Sequence, residues 1–317
     1  MMIEANGLVK RYGDFTAVKG LDLGVDNEIY GLLGPNGSGK TTTVNMLTTM
    51  LTITEGTASV CGYDVVGDAQ KVREFISYVP QDMAVDIRLT GRENVDLFAK
   101  LYGIRDGAER KRRVEHVLEV MNLADRADER TKKYSGGMRR RLELAQALVH
   151  DPKVLFLDEP TVGLDVASRR SIWEYIVKLR DSGVTIFVTT HQMDEAERYC
   201  DRVGILKKGT LTAEGRPYDL TAGMDSIITV RTEGGFPSKV PDGVTEVEFK
   251  DGLATFTSAD GASALPELMG CYSKDGIKVF SSSVREPTLE DVYMLSVGTA
   301  DESRFDDSQF RNMMRRR

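Results

Sequence analysis

Cysteine is scarce, with three in 317 residues. Cys61, Cys200 and Cys271 are odd in number, far apart and without metal-ligand spacing, so neither a disulfide framework nor a zinc site is indicated, and reduced structural thiols are expected. Long apolar runs are also missing: nothing approaches the roughly 18 residues of a membrane-spanning helix. The opening Met1 to Asp14 is polar and has no signal-peptide core. A cytosolic protein is expected, or one held at a membrane through another molecule. Basic charge is in deficit, with 42 Lys+Arg against 49 Asp+Glu and a net charge of −7, which argues against the broad electrostatic footprint of a nucleic-acid binder. Aromatic residues are 7%, yet 41% hydrophobic and 29% charged residues are the composition of a globular protein with material for a buried core, excluding wholesale disorder. The length suggests two domains, and no internal repeat is present.

Short β-branched and apolar runs, Ile29 to Leu33, Val154 to Leu157 and Thr185 to Thr189, alternate with longer segments of helical period. This pattern predicts an α/β layer structure around a largely parallel sheet. Between Leu89 and Ala147 the pattern is helical almost throughout, with Val114, Val117, Leu118 and Met121 on one face, as expected of a helical insertion. After about Leu220 the texture becomes β-rich. Ile227 to Arg231 and Val244 to Phe249 read as strands, and Asp251-Gly252 is a hairpin signal before Leu253 to Phe256. A closing helix follows, in which Thr288 and Asp291 have capping-box spacing and Leu289, Val292 and Tyr293 share a face. The expected division is a first domain over 1–220, a small accessory domain without chemistry of its own over 221–297, and a polar, disordered tail over 298–317 ending in Arg315 to Arg317.

The strongest chemical signal is Gly34-Pro35-Asn36-Gly37-Ser38-Gly39-Lys40-Thr41, which fits G-x-x-x-x-G-K-[ST] between an apolar run and the helical stretch from Thr42 to Met50. Glycines let backbone amides curl around phosphate oxygens, and the helix aims its positive end at them. Lys40 adds a point charge and the Thr41 hydroxyl can ligate Mg²⁺. Thr42 completes the phosphate-binding set. A second element is Val154 to Leu157 ending in Asp158-Glu159-Pro160, two carboxylates at the carboxyl end of a buried strand, where α/β sheets place ligands. Asp158 is expected to face the metal and Glu159 an attacking water.

Ser135-Gly136-Gly137-Met138 opens a helix with Leu142, Ala145, Leu148 and Val149 on its apolar face. Alone, this reads as a glycine-rich start with Ser135 as N-cap. Its position, some twenty residues before the Asp158 strand, resembles the signature loop of the ATP-binding-cassette (ABC) ATPases. Other elements resemble that family in order: Gln81 in Tyr78-Val79-Pro80-Gln81 matches the Q-loop, Asp165 in Gly163-Leu164-Asp165 the D-loop, His191 the switch histidine, and Tyr12 the aromatic that stacks on adenine. The resemblance covers residues 1 to about 220. Tyr134 to Glu143 and Arg285 to Tyr293 resemble the daunorubicin-resistance type of exporter ATPase. Tyr134 and Met138 depart from the commonest signature, and Val162 and Val166 from the usual D-loop surroundings.

The resemblance implies a P-loop α/β fold with N-terminal antiparallel strands and a mostly parallel core. It also implies a head-to-tail homodimer in which ATP on one subunit's phosphate loop is covered by Ser135, Gly136 and Gly137 of the other. Mg²⁺ is expected on Thr41, Gln81 and Asp158. Glu159 is expected to polarise water, His191 to orient it, and Lys40 to stabilise charge. A separate polytopic membrane subunit is the implied partner, approached by Gln81 to about Asp96 at the cytoplasmic face; cargo and transport direction are properties of that partner. Two rival readings are a cassette ATPase acting on nucleic acid or ribosomes, and a nucleotide-gated regulator without turnover.

Overall fold

The computed structural model describes residues 1–82 and 84–297; the expected tail over 298–317, with Arg315 to Arg317, lies outside the described residues. The chain divides into two compact units, Met1–Pro217 and a second beginning at Tyr218.

The first unit opens with β1 (Ile3–Tyr12) and β2 (Phe15–Val25), an antiparallel hairpin turned at Gly13, where φ is +56°. β4 (Glu55–Val60) pairs with the other edge of β1, and β5 (Tyr63–Asp64) completes a sheet of order β2-β1-β4-β5. A second sheet has the order β10-β9-β3-β8-β7-β6. It comprises β3 (Ile29–Leu33), β6 (Ile76–Val79), β7 (Val154–Asp158), β8 (Thr185–Thr190), β9 (Arg202–Lys207) and β10 (Thr210–Gly215). All neighbours are parallel except β10 on β9. Every residue of β3, β7 and β8 is buried, as strands covered on both faces require, and this is why they read as unbroken apolar or β-branched runs.

Helix α1 (Lys40–Leu47) joins the two layers. Its Val44, Met46 and Leu47 are fully buried in one core with Ile3, Leu8 and Val60 of the antiparallel sheet and Phe156 and Phe187 of the parallel one; full burial of each such side chain contributes about 1.5–3 kcal/mol. The helix begins two residues before the expected Thr42 and ends three before the expected Met50. Thr49 takes a left-handed φ of +64°, and the amides of Met50 and Leu51 both turn back to the Asn45 carbonyl.

Residues 89–147 hold α3 (Gly91–Leu101), α4 (Gly107–Val120) and the start of α5 (Gly136–Leu148), preceded in the chain by α2 (Ala69–Phe75). Thr90 and Glu93 form a reciprocal capping box on α3, and Asp106 caps α4. Val114, Val117, Leu118 and Met121 are buried as their spacing predicts. α6 (Val166–Asp181) and α7 (Met193–Tyr199) flank β8 in the chain.

After α8 (Pro217–Thr221), the second unit is an antiparallel sheet of order β12-β13-β11-β14. Its strands are β11 (Ser226–Thr232), β12 (Val244–Lys250), β13 (Leu253–Ser258) and β14 (Val279–Arg285). Asp251 and Gly252 both have positive φ, 51° and 77°, as a type I′ hairpin turn needs. Leu268 and Tyr272 of α9 (Gly261–Lys274) share a core with Ile228, Val230 and Phe256 of the sheet. At the start of α10 (Leu289–Val297) only half of the expected capping box forms. The Asp291 carboxylate accepts from the Thr288 amide at 2.8 Å, but the Thr288 hydroxyl donates to that carboxylate at 3.0 Å instead of capping the Asp291 amide.

Candidate functional site

The carboxyl ends of β3, β7 and β8 point the same way, because the three strands are parallel neighbours with Asp158 opposite Thr189 and Leu33 opposite Thr190. The segments that follow them therefore meet along one sheet edge. From β3 comes the loop of Gly34, Pro35, Asn36, Gly37, Ser38 and Gly39, leading into Lys40, Thr41 and Thr42 of α1. The loop is seated tightly. A Cβ on Gly34 would lie 2.4 Å from the Leu206 carbonyl and one on Gly39 2.6 Å from the Ala17 carbonyl, and Gly39 has φ +109°, a combination only glycine meets.

Lys40 is buried, and its ammonium donates to the carbonyls of Gly34 at 2.8 Å and Pro35 at 3.3 Å. The same ammonium lies 3.6 Å from a carboxylate oxygen of Glu159, whose other oxygen is 2.9 Å from His191 Nδ1. Glu159 is only 6% exposed and has φ +50°, the left-handed region that a non-glycine residue occupies at a cost. Asp158, one residue earlier, accepts from the Thr41 hydroxyl at 2.9 Å and from the Tyr78 hydroxyl at 3.5 Å. Burial, reinforced by that carboxylate, pushes the Tyr78 hydroxyl up to about 12. The structure thus brings together Lys40, Thr41, Asp158, Glu159 and His191.

The remaining candidates stand apart from this cluster: among the described residues no hydrogen bond joins Tyr12, Gln81, Ser135 or Asp165 to the loop. Tyr12 is half exposed at the end of β1, opposite the still more exposed Phe15, with the Lys10 ammonium 5.3 Å from its ring centre. Gln81 is exposed, two residues beyond β6. Ser135 is exposed and accepts from the Met138 amide at 3.2 Å, so it caps α5. Gly136 and Gly137 pack on the Asp165 segment: a Cβ on Gly136 would lie 3.5 Å from Leu164, and one on Gly137 2.5 Å from the Ser168 hydroxyl. Asp165 caps α6 by accepting from the Ser168 amide at 3.0 Å and its hydroxyl at 2.6 Å, bonds that hold its carboxyl below the usual range.

The site can be tested for fit to a nucleotide with magnesium. Ser38 is 2% exposed and its hydroxyl oxygen has no hydrogen-bond partner among the described residues. The first-turn amides of α1 also have no intrahelical acceptor, as at any helix start. An orphaned hydroxyl, free amides and a buried ammonium around one glycine loop are a donor set for phosphate oxygens. Thr41 and Asp158, already in contact, are the hard oxygen ligands that Mg²⁺ prefers.

The sequence profile of the ABC transporter family matches residues 18–162. A daunorubicin resistance ATP-binding protein of Streptomyces coeruleorubidus is 40% identical over 93% of this chain and 96% of its own length. The chain belongs to the ABC transporter ATP-binding subunits. A linearmycin resistance ATP-binding protein of Bacillus subtilis (strain 168) is 36% identical over 94% of this chain and 98% of its own length. Among solved structures, the dimer of an ATP-binding cassette in a post-hydrolysis state with ADP and Pi is 28% identical, with a TM-score of 0.61, covering 68% of this chain and 98% of that one. The P-loop α/β fold and the daunorubicin-resistance type read from the sequence are thereby shown. As an ABC ATP-binding subunit of the resistance and export type, the chain is an ATPase. Such subunits dimerise and work with separate membrane subunits. Among the described residues no helix is long and apolar enough to cross a membrane. The nucleic-acid and non-hydrolysing readings are not favoured.

Sequence reasoning missed several residues that the structure packs against this cluster. Thr189 is fully buried; its hydroxyl donates to Asp158 and accepts from the Glu159 amide at 3.2 Å. Within a β-branched run it reads only as a strand residue. Thr161 donates to the buried Glu195 at 2.6 Å, and Arg169 of α6 reaches Gln192 at 2.7 Å, tying the segment after Glu159 and the segment after His191 to neighbouring helices. The Tyr134 departure has a physical account: its hydroxyl donates to the Arg126 carbonyl at 2.7 Å and lies against Gly91, where a Cβ would be 2.4 Å away.

Proposed function

We propose that this subunit hydrolyses Mg-ATP at a site shared between two copies of the chain, and thereby drives export of a small molecule through a separate polytopic membrane subunit at the cytoplasmic face. The observation that carries this reading is the convergence of Lys40, Glu159 and His191 beside the Thr41–Asp158 contact.

The loop amides, the Ser38 hydroxyl and Lys40 bind the phosphates, with the ammonium exchanging Pro35 and Glu159 for phosphate oxygens. Thr41, Asp158 and Gln81 would hold Mg²⁺, which would supply positive charge to offset the charge developing on the phosphates. Glu159 accepts the proton of a water whose oxygen attacks the γ-phosphorus; the bond to the bridging oxygen breaks, giving ADP and phosphate. His191 fixes the Glu159 carboxylate and the water from the other side, and Tyr12 stacks on adenine. Ser135, Gly136 and Gly137 face the γ-phosphate of the partner copy, with Asp165 alongside. Val162 and Val166 next to Asp165 are exposed, Val166 by 74%, which supports a face covered by a second copy. Exposed Ile87, Leu97 and Leu101 support docking of the membrane subunit near the segment from Gln81 to Asp96. Support for the export direction comes from a relative named as a Nod factor export ATP-binding protein, 43% identical over 76% of this chain, and support for a small-molecule cargo from the daunorubicin and linearmycin in the names of the resistance relatives.

Glu159→Gln tests the assignment. It keeps shape and hydrogen bonding but removes the base, so turnover should fall by about 10²-fold or more while ATP affinity stays close to wild type. A variant that keeps more than about a tenth of the wild-type rate moves the base elsewhere.

A further inference from the structure

Arg140 and Glu143 lie one turn apart on α5, and both are 3% exposed. On an exposed helix face such a spacing gives a solvated ion pair. Here both charges are out of water, and a buried ion pair adds little net stability over apolar residues of the same volume. Stability therefore does not account for the pair, and what it touches does.

The Arg140 guanidinium donates from Nε to the Pro160 carbonyl at 2.9 Å and from Nη2 to the Asp158 carbonyl at 3.3 Å. These two carbonyls stand on either side of Glu159. From Nη1 it donates to the Pro80 carbonyl at 2.9 Å and to the Glu143 carboxylate at 2.9 Å. The other Glu143 oxygen accepts from the Ala84 amide at 2.6 Å. Pro80 and Ala84 stand on either side of Gln81. One buried pair therefore grips the backbone flanking both Glu159 and Gln81, and it does so from the helix that Ser135 caps.

We infer that Arg140 and Glu143 are a positioning pair for ATP hydrolysis: they hold the Glu159 backbone in its left-handed conformation and keep the Gln81 segment in register with it. Neither residue touches a reacting atom. The inference rests on the roles proposed above for Glu159 and Gln81. Arginine suits the task because its planar fork meets several acceptors at fixed angles, whereas a lysine ammonium is a single flexible point charge. A displacement of about 1 Å in a reacting group costs on the order of 10²-fold in rate, so loosening this grip lowers turnover before it lowers binding.

The experiment uses the full chain. Arg140→Met with Glu143→Leu replaces the pair by apolar residues of similar volume. Steady-state ATPase is measured across a Mg²⁺ titration, with ATP affinity read in the absence of Mg²⁺ and unfolding followed by fluorescence. The double variant is expected to unfold at a lower temperature than wild type, because the backbone groups the pair satisfied lose their partners, yet to stay folded at the assay temperature, to bind ATP within about threefold of wild type, to lose about tenfold or more in kcat, and to need more Mg²⁺ for half-maximal rate. Arg140→Lys, which keeps the charge without the fork, is expected to stay below about a third of the wild-type rate. Glu143→Gln, which keeps shape and one acceptor, guards against a double variant that fails to fold; it is expected to lower kcat without changing metal-free ATP affinity. A folded double variant with wild-type kcat and Mg²⁺ dependence overturns the inference, as does full activity of Arg140→Lys or of Glu143→Gln. Glu159→Gln assayed alongside separates the two levels. If it is inactive while the pair variants are wild type, only the pair's role fails; if it turns over normally, the reading of Glu159 fails first.

Discussion

Gly137→Ala isolates the contact by which the Ser135 loop meets the Asp165 segment. Gly137 is the second residue of α5, in ordinary helical backbone, so alanine should stabilise the helix by up to about 1 kcal/mol on propensity alone. The added Cβ, however, would lie 2.5 Å from the Ser168 hydroxyl and 2.9 Å from its Cβ. Ser168 has no easy way to give, because its amide and hydroxyl are both bound to the Asp165 carboxylate. Overpacking of this kind costs about 1–3 kcal/mol, and turning the hydroxyl away loses roughly a further 1 kcal/mol. The net expectation is destabilisation by about 1–3 kcal/mol, or a melting temperature lowered by about 2–12 °C for a unit of this size. Trp173, the single tryptophan of the chain, is 1% exposed on α6, so its fluorescence reports this unit alone. Adding Ser168→Gly removes both opposing atoms, and in that background Gly137→Ala should cost nothing, giving a coupling of about 1 kcal/mol or more between the two sites. A Gly137→Ala protein at least as stable as wild type with Ser168 in place would refute the contact.

Thr189→Val deletes the hydroxyl shared by Asp158 and Glu159 with no change in shape; losing a bond to a charged group should cost about 1.5–3 kcal/mol and lower kcat, and unchanged melting and turnover would remove Thr189 from the site. His150 titrates low, at about 4, because it is buried, stacked on Tyr102 with ring centres 3.6 Å apart; the Ile76 carbonyl 3.1 Å from Nε2 and nearby Asp151 oppose the shift and Arg113 adds to it. The unfolded chain takes up this proton near pH 6.5 and the folded one only near 4, so stability is full above about pH 6.5 and falls towards pH 4, by on the order of 3 kcal/mol. His150→Phe keeps the stack and should flatten that slope in urea unfolding between pH 7 and 4.5; parallel slopes would contradict it.

What was legible in the sequence is what local pattern controls. The glycine loop, the buried strands and the Asp251-Gly252 turn are each set by neighbours in the chain, and the structure has them where the spacing puts them. The ends of α1 were not legible, because a left-handed Thr49 stops the helix where propensity would carry it on. The half-formed box at Thr288 fails for a similar reason: the Asp291 carboxylate also holds Arg285 at 2.6 Å, and the hydroxyl follows the charge. Thr189, Arg140 and Glu143 were illegible in another way. Their partners are 31, 20 and 59 residues distant, and in the run Arg139-Arg140-Arg141 nothing local marks which side chain turns inward.

The central claim is that one nucleotide is held between two copies of the chain, so that ATP, with its γ-phosphate, is complementary to the phosphate loop of one and to Ser135, Gly136 and Gly137 of the other. Differential affinity of this kind is what drives closure. Light scattering on the Glu159→Gln protein at tens of micromolar tests it most directly. With Mg-ATP the protein should run at twice the 35.1 kDa mass of the chain and return to monomer with Mg-ADP. Adding Ser135→Arg should abolish the dimer while ATP stays bound. Glu159→Gln protein that is saturated with ATP yet monomeric, with its membrane subunit present, would contradict the shared site.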